Sequence, residues 1–189
     1  MNDYFALLDI ERRPAITEET VKGAYFRKSE LLHSDPARSG EMFAVNAAFQ
    51  TIVNPATRIQ HLLKLEFGDA GGGKIPADLG ELFGIIVGAL QVADQELGSL
   101  SAGSSSLLRA LAYQRLDGIR EGLERAEKAL SQRESSLLDE VARIDATWFE
   151  STVDARHPLA QIALGLTFVQ KWQSQVRERK IRLEEEELT

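Results

Sequence analysis

The sequence contains no cysteine. That single absence excludes disulfides, thiol catalysis, zinc–thiolate sites and cysteine-ligated iron–sulfur clusters. The histidines His33, His61 and His157 are scattered, and none forms the close pair that marks a metal-binding helix face. The Glu-x-x-His motifs of di-iron bundles are missing too, so neither a metal nor a cofactor is expected. Basic clusters are lacking: net charge is -7 and the pI about 5.1, which removes nucleic acid from the expected partners. The most apolar run, Leu79 to Leu90, carries Glu81 and is too short to span a bilayer. The opening Met-Asn-Asp-Tyr has no basic region followed by an apolar stretch, so the expectation is a cytoplasmic protein with no membrane association. No serine or second acid makes a nucleophilic triad evident, and acidic pairs such as Asp139-Glu140 lack convergence, so no catalysis is expected.

What is present is helical. Over 189 residues, 43% hydrophobic and 27% charged, the composition is that of an ordinary globular chain, and no alternating run is long enough for a sheet. Asn2 or Asp3 can cap a short helix bearing Tyr4, Phe5, Leu7 and Leu8, which Glu11-Arg12-Arg13-Pro14-Ala15 interrupts. Thr17 reads as the N-cap of a helix over 18–32. Val21, Ala24, Tyr25, Leu31 and Leu32 form its apolar stripe, and Lys22, Arg27 and Lys28 lie mostly on the other side. Lys28 falls near the stripe, where its stem can pack and its amine reach solvent, whereas Phe26 points away from it.

A polar break follows at His33-Ser34-Asp35-Pro36. A second helix is expected over 40–53, with Phe43, Ala47, Phe49, Ile52 and Val53 as apolar contacts. Asn54-Pro55 ends it and opens a third over 56–67. The glycine-rich 68–75 reads as a linker, since consecutive glycines carry too much backbone entropy for a helix or strand. It lacks the strand, spacing and Lys-Ser/Thr ending of a phosphate loop. Beyond it, helices are expected over 76–97 and 107–144, with a loop over 99–106. After a turn over 145–157, Pro158 is expected to open the last helix. Three long helices joined by short loops predict an antiparallel bundle. The expected division is therefore 1–67, a linker over 68–75, and a bundle domain over 76–189.

Specific motifs in the first module carry a family resemblance. Tyr4-Phe5-Ala6-Leu7-Leu8, then Val21-Lys22-Gly23-Ala24-Tyr25 running to His33-Ser34-Asp35, then Asn46 through Pro55 with Arg58 and His61-Leu62-Leu63, together resemble the J-domain. That domain stimulates the ATPase of seventy-kilodalton heat-shock chaperones. Ser34 stands where the family has proline in its His-Pro-Asp loop. With a helical bundle following a short linker, and with neither a glycine/phenylalanine-rich segment nor a cysteine-rich zinc module, the chain is nearest the Hsc20-type co-chaperones of iron–sulfur assembly. The Gln50-Thr51-x-x-x-Pro55-x-x-Arg58 spacing points the same way.

The resemblance implies an all-α fold, a J-like helical hairpin followed by a C-terminal antiparallel three-helix bundle. It also implies a non-catalytic co-chaperone whose partners are a seventy-kilodalton heat-shock chaperone and an iron–sulfur scaffold protein. The chaperone-binding candidates are His33, Ser34, Asp35, Lys22, Arg27 and Lys28. Read without the resemblance, His33 and Asp35 are a polar loop and the three cations a solvated face. In the C-terminal module Leu79, Leu82, Phe83, Ile86 and Leu90 are candidates for binding a scaffold or client through an apolar patch, or else core. Arg58 and Asn46 are expected to tie the first module together by hydrogen bonds. The alternative function is a J-like interaction scaffold that does not stimulate a chaperone.

Overall fold

The computed structural model describes residues 2–34, 40–69, 78–101 and 106–187. Among them the chain forms seven helices and no strand: α1 (Tyr4–Leu7), α2 (Glu18–His33), α3 (Met42–Val53), α4 (Pro55–Phe67), α5 (Asp78–Ser101), α6 (Ser106–Asp145) and α7 (Thr152–Glu187). The all-α expectation holds. Helices α1, α2 and α4 each start where a side-chain oxygen satisfies otherwise orphaned N–H groups, whereas α3 has no such side-chain cap. Asp3 Oδ1 accepts from Phe5 and Ala6, Thr17 Oγ1 from Thr20, and Asn54 Oδ1 from Ala56 and Thr57, with Pro55 at the first position of α4. Gly68 ends α4 at φ +82°, a left-handed cap that lets its N–H reach the Lys64 carbonyl.

The last helix departs from expectation. It begins at Thr152, and Pro158 lies inside it. The Ser151 hydroxyl is bonded to the Asp154 carboxylate, and the Ala155 N–H reaches the Ser151 carbonyl. These contacts start the helix upstream of the proline, which has no N–H to give the Asp154 carbonyl four residues back.

Two compact units emerge. The first comprises 1–74 together with 137–166. Within it α2 and α3 pack on one another, and α3 also meets α1 and α4. Phe5, Leu8, Val21, Ala24, Val45, Ala48, Ile52, Ile59, Leu62 and Leu63 are buried, as are Leu137, Val141 and Leu159 from the later segment. Burying each large aliphatic side chain contributes about 1.5–3 kcal/mol. Phe43 and Leu31, both expected in apolar contacts, are instead 84% and 58% exposed. The buried face of α3 is Val45, Ala48 and Ile52, and Phe43 falls outside that three- and four-residue spacing.

Polar contacts join the two segments of this unit through residues 12–15. Asp145, 7% exposed, accepts from Arg13 Nε at 3.1 Å, from Arg13 Nη2, and from the Ala15 N–H at 3.0 Å. Trp148 Nε1 donates to the Arg12 carbonyl at 3.0 Å. The buried Arg58 donates to the carbonyls of Pro14 (2.9 Å) and Ile52 (3.0 Å). Burial lowers the Arg58 pKa to about 10, against the opposing pull of Asp145.

The second unit comprises 75–136 and 167–189. Its buried side chains include Leu79, Ile86, Ala93 and Leu97 on α5, Leu123 and Leu130 on α6, and Val169 and Val176 on α7. Around them Arg179 holds Asp94 through two bonds of 3.1 Å, Lys180 holds Glu127 at 2.7 Å, and Arg115 holds Glu96 at 3.1 Å. Residues 137–166, which the expected division assigns to the C-terminal module, group by packing with 1–74. Of the expected linker, Gly68 and Asp69 are described, while 70–75 lie outside the described residues.

Candidate functional site at the end of α2

His33 is the last residue of α2 rather than a loop residue, and its side chain is exposed. Leu32 beside it is buried and seats the helix end. His33 Nδ1 lies 2.7 Å from the Ser29 carbonyl one turn back. Ser34 is the C-cap: its N–H donates to the Glu30 carbonyl at 3.1 Å and its hydroxyl to the Leu31 carbonyl at 2.8 Å. Both carbonyls belong to the last turn, which has no intrahelical donors of its own. Asp35, the third candidate of the motif, lies outside the described residues.

The three cations of α2 differ in their commitments. Lys22 pairs with Glu18 at 2.6 Å, both side chains more than half exposed. Such a pair is weak and readily exchanged for a partner's charge. Lys28 is 26% exposed and bound to Asp9 at 2.5 Å, so it ties α2 to the segment after α1, with its stem packed as expected. Arg27 has no ion pair among the described residues. Its guanidinium lies back over Gly23 and borders a cavity of about 350 Å³ with Asp9, Arg13, Thr17 and Thr20. Phe26, next to it, is 65% exposed.

The side of α2 that bears Tyr25 is fixed on α3. Tyr25 donates its hydroxyl to Asn46 Oδ1 at 2.9 Å, and its ring lies 4.5 Å from that of Phe49. This locks α2 on α3 and gives Asn46 the tying role expected of it. His61, which sequence reasoning did not single out for any role, is buried and stacked on Tyr4 with ring centroids 4.7 Å apart. Its Nε2 accepts the Tyr4 N–H at 3.1 Å, and burial lowers its pKa.

In the second unit the candidate patch divides. Leu79, Leu82 and Ile86 are buried, Leu90 is half-buried, and only Phe83 is exposed, its ring 6.0 Å from that of Trp172. The first three therefore supply core rather than a contact surface. Among the described side chains of α5 the exposed large apolar ones are Phe83, Ile85 and Val92, and the last two border a groove of about 570 Å³ between α5 and α6, floored by Gly84, Gly88, Gly118 and Gly122. Among the described residues no group of histidine and acidic side chains is placed to hold a metal ion, and no helix is long and apolar enough to cross a membrane.

No protein-family model, curated protein or solved structure matches the chain.

Proposed function

We propose that the chain is a non-catalytic, cytoplasmic co-chaperone that recruits a seventy-kilodalton heat-shock chaperone through the end of α2 and stimulates its ATPase. In this reading α2 and α3 are the J-like hairpin, and α5, α6 and α7 form the three-helix bundle. The observation that carries it is an exposed histidine at the tip of a helix that Tyr25 locks on α3 and that also carries an exposed Lys22 and an exposed Arg27 with no ion pair among the described residues. A positive face of that kind raises the rate of encounter with an acidic partner more than it raises final affinity. An iron–sulfur scaffold protein is the proposed cargo, supported by the sequence resemblance and by the exposed Phe83, Ile85 and Val92. Neither nucleic acid nor membrane is a partner in this reading.

The second reading is an interaction scaffold without stimulation, favoured by the helical placement of His33 and by serine at position 34. Steady-state ATP hydrolysis by a purified seventy-kilodalton chaperone, titrated with wild-type and His33→Gln protein, separates the two. The co-chaperone reading expects saturable stimulation that the substitution abolishes. Hydrolysis that wild-type protein leaves unchanged rejects it and leaves the scaffold reading.

A further inference from the structure

We infer that Ser34 is a positioning residue for His33: by capping α2 it keeps His33 helical as the Nδ1–H tautomer, and so presents Nε2 as a hydrogen-bond acceptor to a donor group on the partner. The partner half of this statement rests on the co-chaperone reading; the tautomer half does not.

A backbone carbonyl only accepts, so the 2.7 Å contact between His33 Nδ1 and the Ser29 oxygen requires the proton on Nδ1. A neutral imidazole carries one N–H, which leaves the Nε2 lone pair facing outward. A group of that kind selects an N–H donor, such as a guanidinium, an ammonium or a backbone amide, and disfavours a carboxylate.

The contact spans four residues and exists only while His33 keeps a helical backbone, which places its ring over the preceding turn. Ser34 secures that backbone from both sides, its N–H on the Glu30 carbonyl and its hydroxyl on the Leu31 carbonyl. A proline at this position has no N–H to give Glu30. Its ring crowds that same carbonyl and biases the residue before it, His33, away from the helical region. Serine here therefore builds a different presentation of the histidine, on the helix, from the one a proline-stiffened loop would give.

Long-range proton–nitrogen NMR correlation on the full-length 15N-labelled protein tests this at about pH 8, where ordinary imidazoles are neutral. The His33 signals are identified by their loss in His33→Gln. Wild-type His33 is expected to show protonated Nδ1 and bare Nε2, with a bias of roughly fivefold for a hydrogen bond of ordinary net strength. Ser34→Pro is expected to abolish the bias, and Ser34→Ala, which keeps the backbone donor, to lose part of it. Circular dichroism checks that both variants fold. A wild-type His33 in the Nε2–H form, or a bias unchanged in both variants, overturns the inference. The ATPase titration is read separately: absent stimulation with the tautomer intact rejects the co-chaperone reading alone.

Discussion

Replacing Asp145 probes the contact that joins the two sequence segments of the first unit. Its carboxylate accepts from both donors of the Arg13 fork and from the Ala15 N–H while only 7% exposed. Arg13 is 38% exposed, so the pair falls between an exposed ion pair, worth about 0–1 kcal/mol, and a buried one, whose breakage costs about 3–5 kcal/mol. About 2 kcal/mol is the appropriate figure for the pair after discounting for solvent. Asp145→Ala also strands the Ala15 N–H, at about 1 kcal/mol, and removes the negative charge that favours the buried Arg58 guanidinium. The expected loss is about 3 kcal/mol, or roughly 6–12 °C in Tm for a chain of this size. Thermal unfolding gives the total. A double-mutant cycle with Arg13→Ala isolates the pair, with an expected coupling of about 1–2 kcal/mol. Hydrogen exchange should show faster opening around residues 12–15 and 145–148. A coupling near zero, or a Tm change within about 2 °C, would refute the account of this contact as a structural joint.

Two further perturbations test other parts of the fold. His61 is held neutral, chiefly by burial, below its ordinary pKa of 6.5. The unfolded chain therefore binds a proton first as pH falls, and stability should drop below about pH 6.5 while staying flat just above it. Denaturant melts of His61→Gln, which keeps an acceptor for the Tyr4 N–H, should lack that component. Gly118 and Gly122 lie in mid-helix, and a Cβ added at either meets nothing within 4 Å. Gly118→Ala and Gly122→Ala should each stabilise by about 0.5–1 kcal/mol. Gly165→Ala, whose Cβ would sit 3.2 Å from Leu137 Cδ1, should gain less or lose stability; equal Tm gains at all three positions would contradict this packing.

Helix existence and most helix starts were legible because caps and breakers act locally: Thr17, Asn54 and Pro55 do at close range what their chemistry dictates. Arg58 was legible as a tying residue. The role of Asp145 was not, because its partners are Arg13 and Ala15, 132 and 130 residues away, and one aspartate at a helix end gives no sign of what will face it. His61 escaped for the same reason: its acceptor role depends on Tyr4, 57 residues earlier. Phe43 and Leu31 were misplaced because hydrophobicity alone does not give the phase of a helix. At the end of α2 a helix stop was legible, but the position of the boundary between helix and loop was not. Ser34 supplies both an N–H and a hydroxyl to the last turn, and that pair of bonds places His33 on the helix side of the boundary.

The composition of the first unit also governs when it can form. Its first 74 residues leave the ribosome well before Leu137, Val141, Asp145 and Leu159, which complete its interior. At ~5–20 residues per second, translating the intervening residues 75–136 takes roughly 3–12 s. During that interval the early helices await the side chains that cover them. Nascent chains of this protein therefore pass through a window of exposed apolar surface, and truncation before residue 137 should leave a product prone to aggregation or to capture by ribosome-associated factors.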